Sequence, residues 1–394
     1  MTASLTVRSI ESIAEVPAAA WDACANPPAA GEATVDGERF NPFIAHAFLL
    51  ALEQSRSVGG RSGWGPAHVL VEETGGRLVA AAPTYLKSHS QGEYVFDHGW
   101  ADAYQRAGGR YYPKLQVAVP FTPVTGRRLL VAPEAPSGAR AALIAGLRAL
   151  REAAGASSIH VTFPDRPDME TLERAGFVSR TGEQFHFINE GYRDFDDFLA
   201  ALASRKRKAI KRERREALGD DVVVELLAGN DIQSEHWDSF FTFYMDTGSR
   251  KWGRPYLSRE FFDRVGAAMA SRILLVMAKR AGRWVAGAIN FIGDDALYGR
   301  NWGAIEERPF LHFEICYYQA IEFAIRRGLK RVEAGAQGEH KLARGYRPVP
   351  TFSAHEFADR RFQRAVADYL TRERAAVDDT IADYAEHLPF RRET

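Results

Sequence analysis

The sequence predicts an α/β (α+β) fold built from two tandem domains, each a mixed, mostly antiparallel sheet flanked by helices. Three observations carry this. Gly76-Arg77-Leu78-Val79-Ala80-Ala81-Ala82 and Gly282-Arg283-Trp284-Val285-Ala286-Gly287-Ala288 share a pattern, each after an apolar run (His68–Val71; Ile273–Met277) and a short polar turn. Each leads to a Tyr…Trp stretch, Tyr94 to Trp100 and Tyr298 to Trp302. Each half also ends in a glycine-closed helix and a new strand, at Ala175-Gly176-Phe177 and Arg327-Gly328-Leu329. A spacing of about two hundred residues suits a duplicated domain, not a solenoid repeat. The chain of 394 residues exceeds one ordinary core, and the repeat divides it into residues 1–190 and 191–394.

The elements follow in order. Asn41 to Glu53 reads as a helix, with Pro42 in its first turn and Phe43, Phe48 and Leu52 on one face. Strands are expected at 67–73 and 77–87, joined by Glu73-Thr74-Gly75-Gly76, with another near Tyr94–His98. A strand at 115–119, an amphipathic helix over 138–154, a strand at 159–163 and one near 184–188 close the first half. In the second half a helix starts at Asp194, where Asp197 makes a capping pattern, and carries an apolar stripe from Phe195 to Ile210. A strand at 222–226 and helices over 234–245 and 258–270 precede the second hairpin. The next helix has Phe313, Tyr317, Ile321 and Ala324 on one face and Gly328 at its end. A strand follows at 331–335, and the tail from Arg360 is helical. Adjacent hairpins exclude a doubly wound parallel sheet.

Composition narrows the function. The chain has 46% hydrophobic and 26% charged residues, with 51 basic residues against 51 acidic ones, so any polyanion partner needs a local patch. Two cysteines, Cys24 and Cys316, make no disulfide framework and point to a reducing compartment. The start of the chain lacks the apolar region of a signal peptide, and no run approaches the ~20 apolar residues of a membrane span. A cytoplasmic location is the expectation.

Glu333-Ala334-Gly335-Ala336-Gln337-Gly338-Glu339-His340-Lys341-Leu342-Ala343-Arg344-Gly345-Tyr346-Arg347 holds the densest set of reactive side chains. Acyl transfer could use them all. Glu339 or His340 would take the proton from an attacking amine, Lys341 or Arg344 would hold an anionic group or the developing oxyanion, and Tyr346 would protonate the leaving group. Glu333 would contact the substrate. Asp97, His98, Trp100, Asp102 and Tyr104, at the end of the first-half strand, would match Arg300, Asn301 and Trp302 in the second and line a cleft between the domains. His312 and Glu314 begin the clearest helix, where backbone N–H groups could receive an anion. The run Ser204 to Arg215 concentrates cations, among them Arg205, Lys208, Lys211 and Arg212, which with Arg250 could bind phosphate. Like charges at this spacing repel unless an anion answers them. Eleven histidines are scattered without metal-ligand spacing, and hydrolase and P-loop motifs are missing.

The tandem halves, the Phe243-Tyr244…Thr247…Arg250-Lys251 segment and the Lys341…Arg344-Gly345-Tyr346 loop resemble the FemAB-like branch of the GNAT acyltransferase superfamily. The blocks His312-Phe313-Glu314…Cys316-Tyr317-Tyr318-Gln319 and Glu333 to Lys341 look like a bacterial family of N-acyltransferases tied to peptidoglycan biosynthesis or recognition. The resemblance implies two GNAT-like domains and direct attack of an amine on an acyl group, with no metal. It implies an aminoacyl-tRNA or acyl-CoA donor and, as acceptor, a cell-wall precursor or other amine-bearing small molecule. Transfer RNA would meet the 205–215 run; peripheral membrane contact and the oligomeric state stay open. The segment Glu306-Glu307-Arg308-Pro309 replaces the pyrophosphate loop of ordinary GNAT acetyltransferases. Rival readings are an acetyl-CoA-dependent acetyltransferase and a non-catalytic protein recognising a muropeptide or nucleotide-sugar.

Overall fold

The computed structural model describes residues 4–27, 40–252, 255–335 and 338–391. Two compact units emerge: Met1–Gly182 with Pro350–Asp379, and Glu183–Val349 with Thr380–Thr394. Pro350–Asp379 thus returns to the first unit, where a cut at 190 would have left it in the second.

In chain order the first part contains β1 (Leu5–Ile10), α1 (Ala18–Ala25), α2 (His46–Gln54), β2 (Trp64–Pro66), β3 (His68–Glu73), β4 (Leu78–Ala82), β5 (Thr84–Lys87), α3 (His98–Arg106), β6 (Lys114–Val117), β7 (Leu130–Val131), α4 (Ala139–Ala153), β8 (Ser158–Thr162), α5 (Arg166–Arg174) and β9 (Val178–Ile188). Then come α6 (Phe195–Ala201), α7 (Ser204–Leu218), β10 (Val222–Ala228), α8 (Ser234–Trp252), α9 (Arg259–Met269), β11 (Ile273–Arg280), β12 (Arg283–Ile292), β13 (Ala296–Ala304), α10 (Leu311–Phe313), α11 (Gln319–Arg326) and β14 (Arg331–Glu333). The chain ends with β15 (Arg347–Phe357) and α12 (Arg360–Glu386).

Unit 1 has an antiparallel sheet ordered β1-β3-β4-β7 and strands ordered β2-β5-β6-β8-β15. Unit 2 has the order β10-β11-β12-β13-β14-β9. The duplication is clearest where each unit makes its parallel pair. In unit 1 β6 runs parallel to β8 across α4; in unit 2 β13 runs parallel to β14 across α11. Each crossover helix covers an apolar face: Leu143, Ile144 and Leu147 meet Leu115, Val117, Ile159 and Val161, while Ala320, Ile321 and Ala324 meet Leu297 and Val332. The opposite faces bury polar groups, Lys114, Gln116 and His160 in one unit, and His186, Asn290 and Glu333 in the other.

The strand expected at Tyr94–His98 does not form. That stretch is a loop into α3, because Glu93 and Asp97 turn inward to Lys114 while Tyr94 sits at φ 60°. Trp100 and Ala101 are the buried residues of α3. The counterpart of β13 is therefore β6, and Trp100 does not match Trp302. The helix opening at Asp194 stops at Ala201 and restarts at Ser204, though Phe195, Phe198, Leu199, Leu202 and Ile210 are all buried as expected.

Gly303 positions the site: a Cβ there would run into the backbone of Phe243 on α8. Gly303→Ala should push α8 off β13 and cost ~1–3 kcal/mol or more, seen as a lower midpoint in thermal unfolding. Among the described residues no helix is long and apolar enough to cross a membrane.

Candidate active site in unit 2

Strands β13 and β14 pair only over Ala296–Tyr298 and Arg331–Glu333. Beyond Tyr298, β13 continues to Ala304 while the chain leaves β14 into a loop and a 3-10 turn, Glu339–Arg344. Gly335 (φ 80°) and Gly338 (φ 119°) make this departure feasible, since both adopt backbone conformations other residues resist. Ala336 and Gln337 lie outside the described residues.

The turn buries Lys341, which is 1% exposed. Its Nζ donates to the Gly335 carbonyl at 3.0 Å, and among the described residues it makes no ion pair with a carboxylate. Burial, followed by the field of Arg300, lowers it to about 8. His340 is more exposed, and its Nε2 lies 2.9 Å from the Tyr317 hydroxyl. Its ring centre is 5.6 Å from Phe313 and 6.4 Å from His312. Burial, Arg344 and Lys341 all depress it, so the imidazole is neutral near pH 7. The pair thus joins a buried ammonium to an uncharged base, the two functions an amine attack on an acyl carbon requires.

Other expected residues fall differently. Tyr346 is fully buried against Tyr317 and Phe187; among the described residues its hydroxyl has no hydrogen-bond partner, and burial keeps it protonated. Glu339 is exposed and accepts a hydrogen bond from Tyr384 at 2.8 Å. Arg344 is spent on structure: it pairs with Glu213 at 2.9 Å, stacks 3.4 Å from the Phe313 ring centre and donates to the His340 carbonyl at 2.7 Å. That arrangement anchors the turn to α7. Glu314 is wholly buried in the π-helical turn Glu314–Tyr318, held by Arg214 at 2.9 Å and by Gln319 at 2.7 Å. With its oxygens so engaged it braces α7 against α11 and offers little to a ligand.

Glu333 is buried beside Arg331 (2.8 Å) and His186 (4.0 Å). Burial pushes its carboxyl up, but His186, Arg331 and Arg300 outweigh this and hold it below the usual range. Burial leaves His186 neutral, lowered to about 4. Sequence reasoning missed His186, Arg331 and Tyr317. The alternation Gln184-Phe185-His186-Phe187 carried the signal, because its polar positions share one strand face.

The Trp302 and His312 rings meet at a tilt with centres 5.2 Å apart and help line a cavity of about 550 Å³ with Thr247, Arg250, Ala304 and Glu307. Arg250 pairs there with Asp246 and donates to the Ala304 carbonyl at 3.0 Å. Arg300 and Asn301 are half-buried on β13 between Glu333's neighbourhood and this cavity wall. Asp97, His98, Trp100, Asp102 and Tyr104 belong to unit 1, where Asp97 is a buried partner of Lys114 and Trp100 packs on His355 at 4.8 Å. Being on α3 and its cap, they are not the strand-end set expected from the sequence.

A family model described as peptidoglycan biosynthesis/recognition, FemAB-like, matches residues 12–392. The chain belongs to the FemAB-like family. Its fold is similar to that of FemX, at 12% identity over 91% of this chain and all of that one, with a TM-score of 0.53. It also matches a tandem GNAT protein from the clavulanic acid pathway (12% identity, 90% of this chain and 99% of the other, TM-score 0.48). A third match is L-PGS from Bacillus licheniformis (12% identity, 75% and 86% coverage, TM-score 0.47). None of the curated proteins matches in sequence. The family expected from the sequence is the one whose model matches, and the mixed α/β fold is shared with FemX.

In this FemAB-like chain the basic run forms α7. Arg205, Lys208, Lys211, Arg212 and Arg215 are exposed on it, whereas Arg214 and Glu213 face inward to Glu314 and Arg344. Lys211 and Arg212 have exposed partners, Asp196 at 3.1 Å and Glu216 at 3.6 Å, which hold them weakly. Arg205, Lys208 and Arg215 make no ion pair among the described residues.

Proposed function

We propose that this FemAB-like protein is an N-acyltransferase that moves an aminoacyl group from the 3′ ester of a charged tRNA onto an amine of a peptidoglycan precursor in the cytoplasm. One observation carries the reading: buried Lys341, without a carboxylate partner among the described residues, beside neutral His340. The acceptor nitrogen attacks the acyl carbon directly. Its proton passes to His340, hydrogen-bonded to Tyr317, and the Lys341 ammonium stabilises the oxyanion as the ester C–O bond breaks. The proton taken by His340 returns to the departing ribose oxygen.

Two features favour an RNA donor over coenzyme A. The exposed cations of α7 suit a phosphate backbone. The segment before α10 offers no pyrophosphate cradle, for Arg308 is held by Asp221 at 2.7 Å and by the carbonyls of Ala217 and Leu218, next to Glu306 and Glu307. The test is product formation from a soluble muropeptide amine with a panel of charged tRNAs or with acyl-CoAs. Acylation from tRNA alone, lost at high salt, is the expected result; transfer from acyl-CoA would replace the donor, and binding without turnover would replace the enzyme. A quadruple change of Arg205, Lys208, Lys211 and Arg212 to Gln should raise the KM for tRNA at least about tenfold and flatten its salt dependence, with kcat little changed.

A further inference from the structure

The imidazole of His340 has a single polar neighbour. Among the described residues its Nε2 meets only the Tyr317 hydroxyl, at 2.9 Å, and its Nδ1 meets no protein group. Tyr317 comes from the π-helical turn Glu314–Tyr318 and is 4% exposed. Its ring is packed among other rings: Phe313 stacked at 5.9 Å, His312 edge-on at 5.3 Å and Tyr346 edge-on at 5.5 Å. Among the described residues the Tyr317 oxygen has no second hydrogen-bond partner. His340, by contrast, is exposed.

Two neutral forms of the imidazole are distinguished by where Tyr317 puts its own proton. A hydroxyl has one proton to donate, and a neutral imidazole carries one N–H and one bare nitrogen. If Nε2 held the proton and donated it to Tyr317, the tyrosine O–H would be left buried without an acceptor. If Tyr317 donates to Nε2, its O–H is satisfied, and the imidazole proton sits on Nδ1 of an exposed residue, where water accepts it. A buried unsatisfied donor shifts such a balance by about tenfold to a hundredfold. Burial also keeps the Tyr317 hydroxyl protonated, so it stays a donor.

We propose, on the reading of Lys341 and His340 as the acyl-transfer pair, that Tyr317 holds His340 in the Nδ1–H form and relays the proton of the acceptor amine to Nε2. The basic nitrogen then lies behind the tyrosine hydroxyl, so the amine has to reach Tyr317 Oη. As the C–N bond forms, an N–H bond of the amine breaks toward Oη while the tyrosine O–H breaks toward Nε2. Tyr317 ends neutral and His340 ends as imidazolium. The reverse double transfer delivers that proton to the ribose oxygen as the ester C–O bond breaks, and both side chains regain their starting forms. Arg344 and Lys341 disfavour a charged imidazole and so drive the return.

The test has a spectroscopic and a kinetic arm. The full chain is labelled with ¹⁵N-histidine, and the His340 ring signals, assigned by their loss in His340→Gln, are read at pH 8 without substrate. Nε2 is expected to be the bare nitrogen in the wild type. In Tyr317→Phe, which keeps the ring contacts, the imidazole should revert mainly to the Nε2–H form that free histidine favours in water, while Lys341→Met should leave the wild-type form in place. In turnover with charged tRNA and a muropeptide amine, Tyr317→Phe should lower kcat about a hundredfold and leave both KM values within about twofold. An Nε2–H imidazole in the wild type would overturn the assignment, and this spectrum decides even where Tyr317→Phe does not fold. An unchanged tautomer in folded Tyr317→Phe would remove the hydroxyl as its cause, and an unchanged kcat would overturn the relay. Absence of turnover with every donor would end the acyl-transfer reading and the relay together, whereas the tautomer is read with no donor present.

Discussion

Lys341→Met should lower kcat/KM for amine acylation by roughly 10²–10³-fold and, at the same time, make the protein more stable. The two effects share one cause. An ammonium buried without a carboxylate is poised for a developing oxyanion, and the resting protein bears the cost of that charge. The fall from 10.5 to about 8 corresponds to a penalty on the order of 3 kcal/mol at neutral pH. For a base whose folded value is depressed, the penalty is complete below about 8, and stability rises with pH as the group titrates between there and its unfolded value. Chemical unfolding at pH 7 and pH 9.5 checks this: the gain from Lys341→Met should shrink at the higher pH. Activity should carry the opposite mark, declining above about pH 8 as the ammonium is lost. Lys341→Arg should keep part of the activity without that alkaline limb, because guanidinium does not titrate in the range. A variant that lost stability and activity together would mean that Lys341 only holds the turn.

Much of this was legible in the sequence. The hairpins at β3–β4 and β11–β12, the crossover helices α4 and α11 and the loop after β14 announced themselves through periodicity and glycine placement, which are local signals. The failure at Tyr94–His98 was instructive. A Tyr…Trp spacing looked like a repeat, but the conformation there is set by Lys114, far along the chain, drawing Glu93 and Asp97 inward. The same blindness affected the basic run. Its density suggested one anion-binding face, yet Arg214 turns to Glu314 and Glu322, and only the outer stripe remains for a partner. Residue type alone makes Arg344 and Glu314 look like ligand contacts, whereas both are ion-paired struts, to Glu213 and Arg214. Pair partners distant in sequence decide whether a charge is available, and a single chain read linearly does not reveal them. β15 was missed because Arg347-Pro348 opens it, a start that reads as loop.

Lys114→Met should be the most damaging single change in unit 1. Its Nζ is wholly buried and binds Glu93, Asp97 and Ser90 at once. Removing one partner of a buried ion pair leaves the other charge without compensation, which typically costs ~3–5 kcal/mol. Here two carboxylates lose their partner together, with only Lys87 nearby, so failure to fold at 37 °C is the expected extreme. The acid limb should move as well. Burial alone would raise Asp97, but Lys114 outweighs it and holds the carboxyl well below its ordinary value. A depressed carboxylate contributes stability above its unfolded value that is lost as pH falls through the folded one. Without Lys114 that contribution disappears, and acid unfolding should begin at higher pH. Glu93, which burial holds above its ordinary value, pushes the same way once its partner is gone. The triple variant Lys114→Met, Glu93→Gln, Asp97→Asn separates charge from shape: near-isosteric neutral groups should restore much of the loss if uncompensated charge is the cause. Urea unfolding of the wild type, the single and the triple variant between pH 4 and pH 8 measures both predictions. An equally unstable triple variant would assign the damage to packing around the lysine stem, and the network would then be a matter of volume, not charge.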